Sequence, residues 1–189
     1  DYPLFRSRGY SPEKTLLPIE SLMHFPEGFF HLVFSEQVFE HVENLSEAIH
    51  MQGKLTAGNG MGIHVFPGAK NIWEGHLHMP FVHWFPKRKF RKKWIALMHK
   101  LSFGPPQAWP ETQAKAFTDR VDIYYDYMNK HTFYRDNEKI KEMFEAHGFE
   151  AHYKIAGSAP AIKNILPAHF SRNGFPKGKV IFQVEKTRN

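Results

Sequence analysis

Residues 29–66, FFHLVFSEQVFEHVENLSEAIHMQGKLTAGNGMGIHVF, decide the fold of this chain. The run at 29–34 is apolar and partly β-branched, which is typical of a strand that is buried on both faces. Apolar residues at three-to-four spacing follow it and predict a helix, which Asn44 or Ser46 can cap and which residues 57–60 end. A second strand is predicted at 63–66. Strand, helix and strand within about forty residues predict a right-handed βαβ unit with parallel strands, the first of them central in the sheet.

After this unit the sequence predicts a helical insertion. Prolines cut residues 70–110 into short pieces around one basic helix near residues 89–101. A helix at 111–130 follows, with apolar side chains on one face. We therefore expect a lid over about residues 70–130, within a single domain that spans 1–189, and not a second domain.

The C-terminal part of the sequence predicts a helix and a hairpin. The helix is capped by Asp136 and ends at Gly148, the residue that most readily adopts a left-handed conformation. Strands are predicted at 149–155 and 179–184, and without a crossover helix between them they should be antiparallel neighbours. The predicted fold class is α/β, Rossmann-like, with a mainly parallel sheet, a C-terminal antiparallel hairpin and a helical lid.

Composition excludes several classes of protein. The chain has 189 residues, of which 42% are hydrophobic and none is cysteine. Disulfides, thiolate metal sites and cysteine nucleophiles are thereby excluded, and a reducing, cytoplasmic location is expected. There is no apolar run near the roughly 20 residues of a transmembrane helix, and because residues 1–20 lack an apolar stretch we do not expect them to act as a signal peptide.

The surplus of positive charge is concentrated in one segment. The net charge is +6, and six of the seven residues at 87–93 are basic. These six are Lys87, Arg88, Lys89, Arg91, Lys92 and Lys93. The segment starts an amphipathic helix that could be a solvated face of the lid, or contact an anionic membrane or an acidic substrate. No recognition-helix or RNA-stacking motif accompanies it, which argues against a nucleic-acid partner.

Four segments resemble a known family. Residues 30–42 resemble the FDLV-S-xx-VLEHV segment of class I S-adenosylmethionine-dependent methyltransferases, and residues 20–26 resemble the acidic segment that precedes it. Residues 55–60 stand where the family has LKPGG, and residues 140–150 resemble its helix-to-strand step I-xx-L-xx-AGFE. The resemblance implies the fold given above, S-adenosylmethionine as cofactor and methyl transfer to a small-molecule or lipid-like acceptor.

The front of the family pattern is missing. The glycine-rich turn that lets the backbone approach the cofactor has no counterpart before Glu20. His31 also replaces the usual aspartate of the family segment. We therefore expect the chain to correspond to the later two-thirds of a methyltransferase, as an incomplete domain.

The resemblance also implies the cofactor-binding residues. Glu20 and Ser21 would contact the adenine amino group at the end of the family's third strand. Ser35, Glu36 and Gln37 follow the predicted strand at 29–34, where ligands bind in open α/β sheets. His41, at the start of the next helix, could orient cofactor or substrate. The alternative for each of these residues is an ordinary loop or helix-capping role.

Histidines crowd the predicted lid. Residues 73–84, WEGHLHMPFVHW, hold three histidines and one glutamate among aromatic residues. A histidine can accept a proton near neutral pH, so we predict His76 as the general base, with His83 and Glu74 as alternatives. A metal site of Glu74, His76, His78 and His83 is not predicted, because the spacing matches no known ligand pattern.

Two other functions remain open at the level of sequence. Without its glycine-rich turn, the chain could be a non-catalytic binding or scaffold subunit that pairs with an active partner. A basic nucleic-acid-binding module is the weaker alternative. Cofactor binding distinguishes the first of these from an enzyme, and salt-dependent retention on heparin tests the second.

Overall fold

The computed structural model describes residues 24–105, 107–155 and 179–187. In this part of the chain, four strands form one sheet, in the order β1 (Phe30–Glu36), β2 (Thr56–Pro67), β6 (Lys179–Lys186) and β5 (Phe149–Ile155). Strand β1 (Phe30–Glu36) leads through helix α1 (Leu45–Leu55) to the parallel strand β2 (Thr56–Pro67). The predicted βαβ unit is therefore confirmed, and Asn44 is the N-cap of α1, its side chain accepting from the backbone N of Glu47.

The predicted C-terminal hairpin is also confirmed. Strands β5 (Phe149–Ile155) and β6 (Lys179–Lys186) are antiparallel, and β6 lies between β5 and β2. The pairing of β6 with β2 is antiparallel as well. The fold is thus α/β and Rossmann-like, as predicted, but the described sheet is mixed and not mainly parallel.

Strand β1 differs from the prediction in its surroundings. It was expected to be central and buried on both faces, but among the described residues it pairs only with β2, and Leu32 is 53% exposed. The apolar run correctly predicted the strand. It did not predict the position in the sheet, because a run of this kind does not distinguish an edge strand from a central one.

Strand β2 is longer than predicted. It starts at Thr56, directly after α1, so residues 57–60 extend the strand where a turn was expected. A Cβ on Gly60 would lie 2.9 Å from the carbonyl oxygen of Phe30. Glycine allows the backbones of β1 and β2 to approach closely here, where their register shifts. A Cβ on Gly58, by contrast, would meet no heavy atom within 4 Å.

The main core lies between the sheet and two helices. Helix α4 (Asn137–Ala146) contacts both α1 and β5. Its predicted boundaries are confirmed: Asp136 caps it by accepting from a backbone N–H, and Gly148 after it has a φ of 77°. The buried residues of this core are Phe39, Leu45, Ile49, Phe66, Ile140, Phe144, Phe149, Ala151, Val180, Phe182 and Val184.

The predicted lid has a hydrophobic core of its own. Strands β3 (Trp73–Glu74) and β4 (Met79–Pro80) form a small antiparallel sheet, followed by helices α2 (Lys89–Lys100) and α3 (Phe117–Lys130). The buried residues of this second core are Leu77, Met79, Val82, Ile95, Met98, Val121, Tyr124 and Met128.

Helix α3 starts later than residue 111. A single 3₁₀ turn (Pro110–Thr112) precedes it, and Ala114 has a φ of 56°, a left-handed conformation that an α-helix does not contain. None of the helices in the described ranges is long and apolar enough to cross a membrane.

Candidate active site

The candidate site begins where β1 ends. Gln37 follows the strand with a φ of 56°, and its backbone N–H donates to the carbonyl oxygen of Val65 on the neighbouring strand. This left-handed residue turns the chain into a 3₁₀ helix (Phe39–His41), which carries Glu40 and His41. In open α/β sheets, ligands bind beyond the carboxyl ends of the parallel strands, so this turn lies where a ligand is expected.

Glu40 is a buried carboxylate with one unpaired oxygen. Its side chain is 1% exposed. With the Gln37 amide oriented to satisfy its hydrogen bonds, the amide nitrogen donates to Oε1 of Glu40 at 2.7 Å. Oε2 has no hydrogen-bond partner among the described residues. Burial raises the pKa of Glu40, and the nearby positive charges offset this only in part.

Two histidine rings face one another beside this carboxylate. Nδ1 of His41 lies 2.6 Å from the carbonyl oxygen of His131, and Nδ1 of His76 lies 2.6 Å from Oε1 of Glu74. Carbonyl and carboxylate oxygens only accept, so both Nδ1 atoms donate, and in a neutral ring Nε2 then carries a lone pair. The two Nε2 atoms are 3.2 Å apart. We call Glu40, His41 and His76 the histidine cluster.

Glu74 orients His76 from behind. It is fully buried, and it also accepts from the hydroxyl of Tyr134 and from the backbone N–H of Leu77. Burial alone would raise the pKa of Glu74, but these hydrogen bonds and the charge of His76 outweigh it and lower the pKa. Burial alone would lower the pKa of His76, but Glu74 raises it overall.

One residue of the cluster, His76, borders a cleft of about 710 Å³ between the 3₁₀ turn at 110–112 and helix α3. His76 contributes to its wall, and its ring lies 5.5 Å from that of Tyr127. The other lining residues are Trp109, Pro110, Glu111, Asp122, Ile123, Asp126 and His131. Aromatic walls with a few polar groups are typical of small-molecule sites.

The residues expected to bind the cofactor are only partly brought together. Gln37 and His41 lie at the cluster, and Glu36 forms an ion pair with Lys179, with 3.8 Å between Oε1 and Nζ. Ser35 lies at the end of β1, where its hydroxyl is 2.8 Å from Nδ1 of the buried His64. Two further predicted residues, Glu20 and Ser21, are outside the described residues.

Of the other predicted lid residues, His83 lies near Glu74 and His78 lies apart. The His83 ring stacks on Tyr134, with 4.4 Å between ring centroids, and burial lowers the pKa of His83. His78 is exposed, with a φ of 50°. The structure therefore joins His76 to Glu74, as the crowded segment suggested, but it places His41 and not His78 opposite His76.

Sequence reasoning missed Glu40 and Tyr134 as residues of the site. Tyr134 lies 60 positions from the Glu74 that it contacts, and no local pattern signals such a pairing. Glu40 is adjacent to His41, which was singled out. The signal available for Glu40 was a charged residue within an otherwise apolar stretch, VFEHV.

The basic segment is less exposed than predicted. Arg91 is only 5% exposed, and its guanidinium donates to the carbonyl oxygens of Phe85 and Met128 and to Asn129 Oδ1. The prediction that Arg91 contacts an anionic surface is therefore wrong, because three oxygens inside the lid already hold it.

The other five basic residues lie at the surface with different partners. Lys92 forms an ion pair with Asp122, and the amine of Lys87 donates to the backbone carbonyl of Asn129. Arg88, Lys89 and Lys93 are exposed on the lid. A contact with an anionic surface through these five residues stays a prediction.

Comparisons with known proteins show similarity at the level of fold. No protein-family model and no curated protein matches the sequence. A methyltransferase dependent on S-adenosylmethionine from Mesorhizobium loti aligns with a TM-score of 0.46 and 12% identity, over 86% of this chain and 64% of that one. One from Archaeoglobus fulgidus aligns with a TM-score of 0.45 and 14% identity, over 89% of this chain and 64% of that one. The cyclase SpnF aligns with a TM-score of 0.48 and 11% identity, over 99% of this chain and 61% of that one.

The chain spans less than two-thirds of the length of these three structures. With identities of 11–14% and TM-scores below 0.5, the likeness reaches no further than the fold.

Proposed function

We propose that this chain carries the later strands of an S-adenosylmethionine-dependent methyltransferase and that the histidine cluster receives the methyl acceptor. One observation carries this proposal. His76, whose Nδ1 is held by Glu74, lines the cleft, and its Nε2 lies 3.2 Å from Nε2 of His41, in the 3₁₀ turn that follows the carboxyl end of β1. Ligands of open α/β sheets bind at this end of the strands.

The chemistry of methyl transfer suits such a cluster. The nucleophile attacks the methyl carbon in line with the sulfonium, so the protein has to align the two and remove a proton from a hydroxyl or amine. A neutral His76 can accept that proton at Nε2, and the carboxylate of Glu74 then stabilises the resulting imidazolium. Glu74 acts through His76 and is a positioning residue in this scheme.

His76 is a better base than the two alternatives predicted from the sequence. Of its side chain, 22% is exposed, whereas Glu74 is fully buried with both oxygens hydrogen-bonded. Both ring nitrogens of His83 are buried. A proton acceptor must reach the substrate, and His76 is the one of the three that lines the cleft.

The acceptor proposed is a small molecule with an apolar, lipid-like or aromatic part. The cleft has the volume of typical ligand sites, and Trp109 and Tyr127 provide aromatic walls for the apolar part. The cofactor is S-adenosylmethionine, with Glu36 and Gln37 proposed to face it from the end of β1. Glu20, Ser21 and Ser35 are proposed to contribute as the family resemblance implies.

Calorimetric titration of the protein with S-adenosylhomocysteine tests cofactor binding. Transfer of labelled methyl groups to a panel of phenols, alcohols and amines tests catalysis. His76→Gln should leave the affinity for S-adenosylhomocysteine unchanged and lower the rate of methyl transfer by about 10²–10⁴-fold. The matched control His152→Gln changes an exposed histidine that is also hydrogen-bonded to a glutamate, Glu150, and should behave as wild type. Absence of cofactor binding by the folded protein would refute the proposal and favour the non-catalytic scaffold.

A further inference from the structure

We infer that Glu40, His41 and His76 together bind a divalent transition-metal ion, for which Zn²⁺ is the natural probe. The inference deepens the proposed function, on which it rests for the position of the acceptor, because it names a cofactor for the same site. Metal binding itself can be measured without the cofactor or the acceptor.

The ligand atoms lie close enough to share one ion. One ligand atom from each of the three residues lies within 4.8 Å of the others. The two Nε2 atoms are 3.2 Å apart, and at Zn–N distances of about 2.0–2.1 Å they subtend about 100° at the metal, near the tetrahedral angle. Two histidines and one glutamate form a ligand set that binds zinc and leaves a fourth position open.

Hydrogen bonds at the far nitrogen of each ring hold both histidines in the form that binds metal. Nδ1 of His76 donates to Glu74, and Nδ1 of His41 donates to the carbonyl oxygen of His131. Metal-bound histidines usually donate their other nitrogen to a carboxylate or to a backbone carbonyl, and each type of acceptor is present here. Both Nε2 lone pairs consequently face the space between the rings.

The unpaired oxygen of Glu40 is an independent observation. Oε2 is buried in a side chain that is 1% exposed, and it has no partner among the described residues. Buried polar atoms are almost always satisfied, and one reason for an exception is that the atom serves to bind an ion. Oε1 of the same carboxylate lies 3.9 Å from Nε2 of His41, so a cation between Glu40 and the two rings would lie beside a carboxylate that is not fully paired.

A proton shared between the two rings would also explain their short contact. In that arrangement one imidazolium donates from Nε2 to the other ring. It involves the two nitrogens alone, whereas a metal ion accounts for the nitrogen pair and for the buried carboxylate within 4.8 Å of both together. The metal ion is therefore favoured.

Bound metal would restrict the acceptor to hydroxyl compounds that can occupy the open position. Coordination lowers the pKa of the hydroxyl, whose proton passes to solvent. The oxygen then forms a bond to the methyl carbon while the carbon–sulfur bond breaks and its electron pair returns to sulfur. With the ion in place His76 would be a ligand and no longer the general base, and the ion would take over its part in releasing the proton.

Zinc titration after chelator treatment tests the site. The protein is stripped with EDTA, dialysed and titrated calorimetrically with Zn²⁺ in the absence of S-adenosylmethionine. We expect one site in wild type and in His152→Gln. Glu74→Gln should weaken the affinity for Zn²⁺ by about 10–100-fold, because Glu74 orients the His76 ring. His41→Gln and His76→Gln, which remove ligands, should weaken the affinity more.

A second experiment needs no variant, so it tests the site even if the substituted proteins do not fold. In long-range ¹H–¹⁵N spectra, Zn²⁺ should shift the Nε2 resonances of two histidines, His41 and His76. No binding, equal binding by all variants, or shifts confined to other histidines would overturn the inference. If the protein binds cofactor and transfers methyl groups at full rate in EDTA, the inferred role of the metal ion is refuted and the proposed function is kept. A protein that binds Zn²⁺ at this site but transfers no methyl groups would refute the proposed function and keep the metal site.

Discussion

Replacing His64 by Gln should flatten the dependence of folding stability on pH below about pH 6.5. His64 is almost completely buried on β2, where Nδ1 contacts the hydroxyl of Ser35 and Nε2 contacts the amide nitrogen of Gln52. Its ring also stacks with those of Phe39 and Phe144. Burial in these surroundings lowers the pKa of His64 from 6.5 to about 3.

The sign of the effect follows from which state binds the proton. Between pH 6.5 and about 3 the unfolded chain is protonated at His64 and the folded protein is not. The free energy of unfolding therefore falls as the pH falls, by about 1.4 kcal/mol per pH unit once well below 6.5. Between pH 7 and pH 5 the loss due to His64 is about 2 kcal/mol. This value holds for any folded-state pKa well below 5.

Urea unfolding at pH 7 and pH 5 measures the effect. Other histidines also titrate, so the quantity to compare is the loss of stability in each variant over this interval. His64→Gln, with a side chain that does not titrate, should lose about 2 kcal/mol less than wild type. The exposed control His152→Gln should lose as much as wild type. Equal losses in His64→Gln and wild type would refute the reasoning, as would an NMR titration of the His64 ring near pH 6.5.

Three further changes test the fold. Gly60→Ala should cost about 1–3 kcal/mol in urea unfolding, because its Cβ would press on backbone carbonyls, while Gly58→Ala, in open space, should be neutral or slightly stabilising. Equal effects at the two glycines would contradict this. Arg91→Lys should cost about 2 kcal/mol or more, since lysine cannot serve three separated acceptors, whereas Arg88→Lys on the surface should change stability by less than about 0.5 kcal/mol. A harmless Arg91→Lys would show that these hydrogen bonds add nothing. Asp136→Ala should cost about 1 kcal/mol through loss of the α4 cap, and an unchanged urea midpoint would refute that role.

Local signals predicted the elements well because their causes are local. The cap at Asp136, the stop at Gly148 and the apolar run of β1 each depend on neighbouring residues, and the structure confirms them. The buried position of Arg91 could also have been predicted from local spacing, although the neighbouring basic residues suggested a charged surface. Arg91, Ile95 and Met98 share one face of α2 at helical spacing, and all three are buried.

The amino-acid sequence alone determined the order of strands and helices, the closing hairpin and the presence of histidines in the lid. Only the tertiary structure decided that His41 and His76, 35 positions apart, meet at their Nε2 atoms beside a buried Glu40. It also decided that Tyr134 holds Glu74 and that β1 is an edge strand in the described sheet. Periodicity and capping act within a few residues, whereas these contacts depend on how the lid packs against the end of the sheet.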